Sequence, residues 1–195
     1  MDDKRTNVLA LAQSGAYAMR IIKRATEPGG DADYVRRLRL WAADCAARTL
    51  PLITGDPRAY ADALAAVEAA RAFARGEIGV AALEPFRCDP NSKYYLDCER
   101  TAYSVRAEVS LCAALTAQED IYFGARNAAE HAREAVTNAA MLASRYSPEP
   151  VRNAHADELQ WQLERLVLWL DRVEPEEWPV LISPDRIGAV TAAVY

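Results

Sequence analysis

Small residues repeat at alternating three- and four-residue spacing along much of this 195-residue chain. The longest such run consists of Ile121, Ala125, Ala128, Ala132, Ala135, Ala139, Leu142 and Tyr146. Residues three or four apart lie on one face of an α-helix, so each run predicts a helix that packs along its length against a neighbour. Alanine also has the highest intrinsic helix propensity. The spacing therefore favours helix-on-helix packing over any fold that contains a sheet.

Capping and helix-breaking residues divide the chain into about six to seven helices. Asp56-Pro57 predicts a helix start, because Asp caps the first turn and a proline at the first position lacks an N–H that would be unpaired anyway. Gly76 is expected to end that helix in a left-handed conformation. Pro51 predicts a kink or an early stop in the preceding helix, since it removes a backbone donor and clashes with the turn before it.

The most apolar seam lies near the end of the chain and predicts the central helix. Its positions are Ala156, Leu159, Leu163, Leu166, Leu170 and Val173. With connections of only a few residues between helices, we predict an all-α fold, a single-domain antiparallel helical bundle. The domain is expected to cover residues 1–195, with residues 174–195 forming a C-terminal extension that packs on the bundle.

The charge balance limits the partners of the protein. A formal net charge of −5 gives no long-range attraction for phosphate backbones or anionic lipid, which argues against nucleic acid and membrane surfaces. The negative net charge instead favours a basic protein as the partner. The N-terminus carries acidic residues where a secretory signal is basic, and no run approaches the roughly 18 to 20 apolar residues of a spanning helix. We therefore expect a cytoplasmic protein.

No metal, cofactor or catalytic pattern is apparent. The cysteines, Cys45, Cys88, Cys98 and Cys112, occur at no C-x-x-C spacing. Cys45 and Cys112 are expected to act as small buried hydrophobic residues, whereas Cys88 and Cys98 bracket a loop and could pair only under oxidation. Neither histidine is preceded by Glu at the spacing of a di-iron bundle, and hydrolase and nucleotide-binding motifs are missing. We predict no cofactor, no metal ligand and no catalytic residue.

One segment of the chain, from Arg36 to Ile78, resembles a known family. The resemblance is carried by LRLWAADCAARTLPL at 38–52, DPR at 56–58 and AVEAARAFARGEI at 66–78. These residues are similar to those of the all-helical immunity proteins of bacterial polymorphic-toxin systems, and also to an R-L-F-A-C-x-C-C-R-R segment of a planctomycete repeat-companion group. The chain departs from the family pattern at Ala47, where the family usually has an acidic residue.

The resemblance implies a small cytoplasmic binding protein that neutralises a partner toxin and is not an enzyme. The family-motif residues are expected to be structural: Arg39, Trp41, Asp44, Cys45 and Arg48. Among these, Asp44 is expected to pair with Arg48 one helical turn later, while Trp41 covers their aliphatic stems.

A separate set of acidic and aromatic residues in the C-terminal third is the predicted partner-binding surface. Its members are Asp157, Glu158, Trp161, Asp171, Glu174, Glu176, Glu177 and Trp178. Carboxylates beside tryptophans are typical of sites that capture a basic protein, because charge steers the encounter and tryptophan supplies a buried anchor. The simpler interpretation is a solvated acidic face.

Two alternatives to a toxin-binding protein remain open at this stage. The first is a small-molecule-binding or enzymatic helical bundle with a pocket lined by Tyr94, Tyr95, Tyr103 and Tyr122. The second is a homodimer formed through the helical seams.

Overall fold

α-Helices form nearly all of the structure that can be described. The computed structural model describes residues 32–87, 105–144 and 148–170. The five α-helices are α1 (Ala32–Thr49), α2 (Pro57–Ala74), α3 (Val105–Leu115), α4 (Ile121–Ala143) and α5 (Pro148–Leu170). Two 3-10 helices, Leu50–Ile53 and Val80–Phe86, follow α1 and α2. These three ranges contain no strand, which confirms the all-α prediction; residues 174–195 lie outside them.

The predicted helix boundaries around α2 are confirmed. The Asp56 carboxylate accepts a hydrogen bond from the backbone N–H of Ala59 at 3.0 Å, and this bond is the main reason why the pKa of Asp56 is lowered. At the other end, Gly76 has a φ of 77°, a conformation that glycine adopts without strain. Pro51 likewise ends α1 early, because the chain passes at Leu50 into the 3-10 helix Leu50–Ile53.

α1 is the central helix of the bundle. It contacts α2, α3, α4 and α5, and it is buried on every side from Arg37 to Ala47. The prediction that the helix with the most apolar seam, α5, is central is therefore wrong, and so is part of its predicted seam, since Ala156 is exposed. The buried face of α5 instead includes two polar residues, Glu158 and Gln162.

The α3–α4 pair follows the predicted small-residue seam closely. Val105, Val109 and Cys112 of α3 are buried, as is Thr116 directly after it, and so are Ala125, Ala128, Ala132, Ala135 and Ala139 of α4. The two helices run antiparallel, because Glu108 pairs with His131 while Leu115 lies against Gly124. α3 and α4 bury these seams against each other within one chain. The seams are therefore not exposed for contact with a second copy, as the homodimer alternative would require.

Candidate functional site

The Asp44 carboxylate joins three helices inside the bundle. Its Oδ1 atom accepts a hydrogen bond from Nη2 of Arg71 in α2 at 2.7 Å. Its Oδ2 atom accepts from Nε of Arg165 at 2.8 Å and from the indole Nε1 of Trp169 at 2.9 Å, both in α5. Asp44 is only 3% exposed, so these four side chains form a buried, charge-assisted cluster that ties α2 and α5 to α1.

A second charged pair lies further along the same two helices. Nε of Arg48 donates to Oε2 of Glu158 at 2.7 Å, and the Arg48 guanidinium stacks over the Trp161 ring at 4.3 Å. The expected Asp44–Arg48 pair is therefore wrong: within the described residues, Asp44 pairs with Arg71 and Arg165, and Arg48 pairs with Glu158. Burial raises the pKa of the Glu158 carboxyl, although Arg48 and Gln162 act in the opposite direction.

Gln162 connects this pair to α1 and α4. Its Nε2 amide donates to the carbonyl of Ala129 at 3.0 Å and to Oε1 of Glu158 at 3.1 Å. Its backbone carbonyl accepts from the indole of Trp41 at 2.8 Å, and its Oε1 accepts from Arg133 at 2.8 Å. The polar atoms of the buried α5 face are thus used for internal contacts.

Two further arginines of α1, Arg37 and Arg39, are also held by internal contacts. Arg39 donates to the carbonyl of Thr116 at 2.7 Å and lies over the Phe73 ring at 5.1 Å. Desolvation, followed by repulsion from Arg87, lowers the pKa of Arg39 to about 10. Arg37 donates to the carbonyl of Trp169 at 3.0 Å. All five family-motif residues therefore contribute to the interior or its edge rather than to an open site.

The thiols and imidazoles of the described residues lack the surroundings of reactive groups. Cys45 and Cys112 are free and fully buried, and burial raises the pKa of both thiols, which keeps them protonated. His131 pairs with Glu108 at 2.7 Å, whereas His155 is exposed on α5. Cys88 and Cys98 lie outside the described residues.

The predicted partner-binding residues separate into three groups. Asp157 is exposed and Trp161 is half-buried, so both reach the surface of α5. Glu158 is 1% exposed and belongs to the interior. The other members lie outside the described residues: Asp171, Glu174, Glu176, Glu177 and Trp178. Among the tyrosines of the alternative pocket, Tyr94, Tyr95 and Tyr103 also lie outside, and the side chain of Tyr122 is not described.

Sequence reasoning missed the residues that hold the internal network together. Arg71, Arg165, Gln162 and Trp169 contact α1 from positions 27 to 132 residues away. The sequence did offer one signal: α1 contains several charged residues although it is otherwise apolar. Charged side chains inside a bundle require partners, so this composition predicts buried ion pairs. That signal does not identify the partners, because they belong to helices distant in sequence.

The outer surfaces of α4 and α5 carry an excess of negative charge. Their exposed carboxylates belong to Glu130, Glu134, Glu149, Asp157 and Glu164. Only two arginines are exposed on these helices, Arg126 and Arg152. The helices are antiparallel neighbours, since Ala129 lies beside Gln162 and Thr137 beside His155. We call these five carboxylates, together with Trp161, the α4–α5 acidic surface. Asp157 and Glu164 each follow by two residues, about 200° around the helix, a side chain that contacts α4, so they lie on the side of α5 away from α4.

The described residues contain neither a clustered set of metal ligands nor a helix suited to cross a bilayer. No group of three or more histidine, cysteine, aspartate or glutamate side chains is arranged to hold a metal ion there. No helix in the same residues combines the length and the hydrophobicity that crossing a bilayer requires.

The chain matches the model of a known protein family. The model of a family described as Imm-5 like putative immunity protein matches residues 33–168, which is more than two thirds of the chain and extends from the first turn of α1 to the last turn of α5. Comparisons with curated proteins and with solved structures give no significant match.

Proposed function

Because the chain belongs to the Imm-5 like putative immunity protein family, we propose that it neutralises a toxin by direct binding and has no catalytic activity of its own. The observation that carries this proposal is the family match across all five described α-helices. In this proposal the protein acts in the cytoplasm of a bacterium, where it binds the toxin encoded beside it. The family-motif residues then serve as the scaffold, and the toxin binds elsewhere.

The α4–α5 acidic surface is the proposed contact region for the toxin. Five exposed carboxylates against two exposed guanidiniums favour a basic partner, because complementary charge speeds encounter and sets orientation. Trp161 adds an aromatic group whose position is fixed by stacking on Arg48, and tryptophan is among the residues most often found at binding hot spots. The other predicted contact residues are proposed to bind the toxin as well: Asp171, Glu174, Glu176, Glu177 and Trp178.

Co-expression with the toxin domain encoded by the neighbouring gene tests the proposal. Wild-type protein is expected to restore growth and to co-purify with the toxin. Glu134→Lys and Glu164→Lys are each expected to slow association about tenfold at low ionic strength, because both reverse a charge on the α4–α5 acidic surface. Glu77→Lys is the matched control, since Glu77 is exposed beyond α2 and the change in net charge is the same. Persistent toxicity without a complex would contradict the proposed function.

A further inference from the structure

Trp161 lies where the α4–α5 acidic surface meets α1. The Arg48 guanidinium, at the end of α1, lies over the Trp161 ring, with Cζ 4.3 Å from the ring centroid. Trp161 also packs against the hydrophobic core, and it is half-buried. Arg48 therefore covers one face of the ring, while part of the indole remains in contact with solvent.

Arg48 is itself held by a buried carboxylate. Its Nε donates to Oε2 of Glu158 at 2.7 Å, and Glu158 is among the most completely buried side chains of the described residues. Charge-assisted hydrogen bonds of this length are strong, and the guanidinium is a rigid planar group. The bond to Glu158 therefore fixes the plane that lies on the Trp161 ring.

Glu158 is held in turn by contacts that reach α4. Nε2 of Gln162 donates to Oε1 of Glu158 at 3.1 Å, so each oxygen of the carboxylate accepts from a different residue. Arg133 of α4 donates to Oε1 of Gln162 at 2.8 Å. These contacts join α4, α5 and α1 in one continuous row that ends at the indole of Trp161.

Two exposed carboxylates flank Trp161 on α5. Asp157 precedes it by four residues and Glu164 follows it by three, and residues at these spacings lie on the same side of a helix. A residue that sets the orientation of the Trp161 ring therefore also sets how the ring is presented between two carboxylates that are proposed to bind the toxin.

The arginines closest to Trp161 in this arrangement are neutralised by carboxylates. Arg48 pairs with Glu158 at 2.7 Å, and Arg165, four residues after Trp161, pairs with Asp44 at 2.8 Å. An uncompensated guanidinium at this edge would repel a basic partner. Pairing with Glu158 therefore allows Arg48 to stack on the ring without opposing the charge of the surface.

We propose that Arg48 is a positioning residue for toxin binding and that it acts through Trp161. The guanidinium holds the indole in the orientation in which its uncovered part meets the toxin. A ring that is already ordered loses less conformational entropy on binding than a mobile one, and tryptophan is a common hot-spot residue. This inference rests on the proposed function, because it takes Trp161 as a contact residue for the toxin.

A double-mutant cycle tests the role of Arg48, with the Kd for the toxin domain of the neighbouring gene measured by titration calorimetry on the full chain. Trp161→Ala is expected to raise the Kd by at least about tenfold. Arg48→Lys retains the charge but loses the planar group, and we expect it to raise the Kd about fivefold. In the Trp161→Ala background, Arg48→Lys should change the Kd by less than about twofold, because the ring through which it acts is absent.

Arg39→Lys is the matched control. Arg39 is a second arginine of α1 that lies over an aromatic ring, but its contacts are with Phe73 of α2 and with the carbonyl of Thr116. We expect this variant to melt at a lower temperature than wild type and to bind the toxin with an unchanged Kd. Thermal melting of all variants separates the loss of stability from the loss of affinity.

The outcomes distinguish the role of Arg48 from the proposed function. An effect of Arg48→Lys on the Kd that disappears in the Trp161→Ala background, with Arg39→Lys equal to wild type, supports the positioning role. An equal effect of Arg48→Lys in both backgrounds, no effect in either, or the same effect from Arg39→Lys overturns it while the proposed function stands. If wild-type protein neither binds the toxin nor restores growth, the proposed function fails and the positioning role fails with it.

Discussion

The α3–α4 and α1–α5 pairs lie in one bundle but are held together by different interactions. Between α3 and α4, the contact consists largely of small, fully buried residues such as Cys112, Ala128 and Ala132. Between α1 and α5, it consists of ion pairs and indole hydrogen bonds, including those of Asp44 and Glu158. The first pair depends on close approach and the second on complete pairing of buried polar groups. The two are therefore expected to respond differently to substitution.

Asp44→Ala should give the largest loss of stability, because it leaves the guanidiniums of Arg71 and Arg165 without their shared carboxylate. Breaking a buried ion pair by removing one partner costs about 3–5 kcal/mol. Urea denaturation of the variant measures the change in the free energy of unfolding. The control is Asp62→Ala, an exposed aspartate on α2, for which we expect a change within about 0.5 kcal/mol. Equal effects of the two variants would contradict the role given to Asp44.

Gly124→Ala should give the next largest loss, at the α3–α4 contact. A Cβ atom at this position would lie 2.6 Å from the backbone oxygen of Leu115 and 3.1 Å from Cβ of Gln118. Overpacking of this kind costs about 1–3 kcal/mol, and the better helix propensity of alanine offsets about 1 kcal/mol of it at most. Thermal melting measures the net effect.

Gly79→Ala is the matched control for this prediction. A Cβ atom at Gly79 meets nothing within 4 Å, and its φ of −83° is accessible to alanine. If both glycine variants melt at the same temperature as wild type, α3 and α4 do not approach as closely as described.

Glu158→Gln should change the pH dependence of stability at the α1–α5 contact. The folded pKa of Glu158 is raised above its ordinary value of 4.5, so the folded state binds its proton more tightly than the unfolded state does. The free energy of unfolding therefore falls as the pH rises from 4.5 through the raised pKa, by at most about 1.4 kcal/mol per pH unit. Glutamine cannot ionise and should remove this slope. Denaturation between pH 4.5 and 7 measures it, with the exposed Glu164→Gln as control; an unchanged slope in Glu158→Gln would contradict the assignment.

Trp169→Phe should give the smallest effect, since it removes one of the three hydrogen bonds to Asp44 and retains most of the ring. We expect a loss of about 1 kcal/mol in the free energy of unfolding, measured by urea denaturation. Trp161→Phe is a useful comparison, because Trp161 stacks on Arg48 and is half-buried. A Trp169→Phe variant as stable as wild type would show that the indole hydrogen bond contributes little.

The two helix pairs also differ in how much the sequence predicted. The α3–α4 seam was predictable, because small residues at three- and four-residue spacing define one face of a helix. The α1–α5 contact was not, because its partners are 110 to 132 residues apart. Local spacing instead suggested an Asp44–Arg48 pair. The clustering of acidic residues with tryptophans in the C-terminal third predicts that Glu158 lies at the surface. Glutamate is buried only when it is paired, and the partner of Glu158, Arg48, can be identified only from the fold.

The difference between buried and exposed residues also explains why the sequence identified the family but not the partner-binding surface. The resemblance identified the family through residues 38–78, which include the most buried helix of the described structure. These residues are mostly buried in α1. They therefore determine the packing of the bundle and give little information about which partner it binds. The proposed contact surface is formed by exposed residues on α4 and α5, such as Glu134 and Glu164, which no local pattern distinguishes from an ordinary solvated helix face.

We propose a division among the carboxylates: those of α1 and of the buried face of α5 are scaffold, whereas those of the α4–α5 acidic surface bind the toxin. Carbodiimide labelling of carboxylates, read by mass spectrometry with and without the toxin domain, tests it directly. We predict that Glu134 and Glu164 are labelled in the free protein and protected in the complex, that Glu77 is labelled in both, and that Asp44 and Glu158 are labelled in neither. Labelling of Asp44 in the free protein, or undiminished labelling of Glu134 and Glu164 in the complex, would contradict the account.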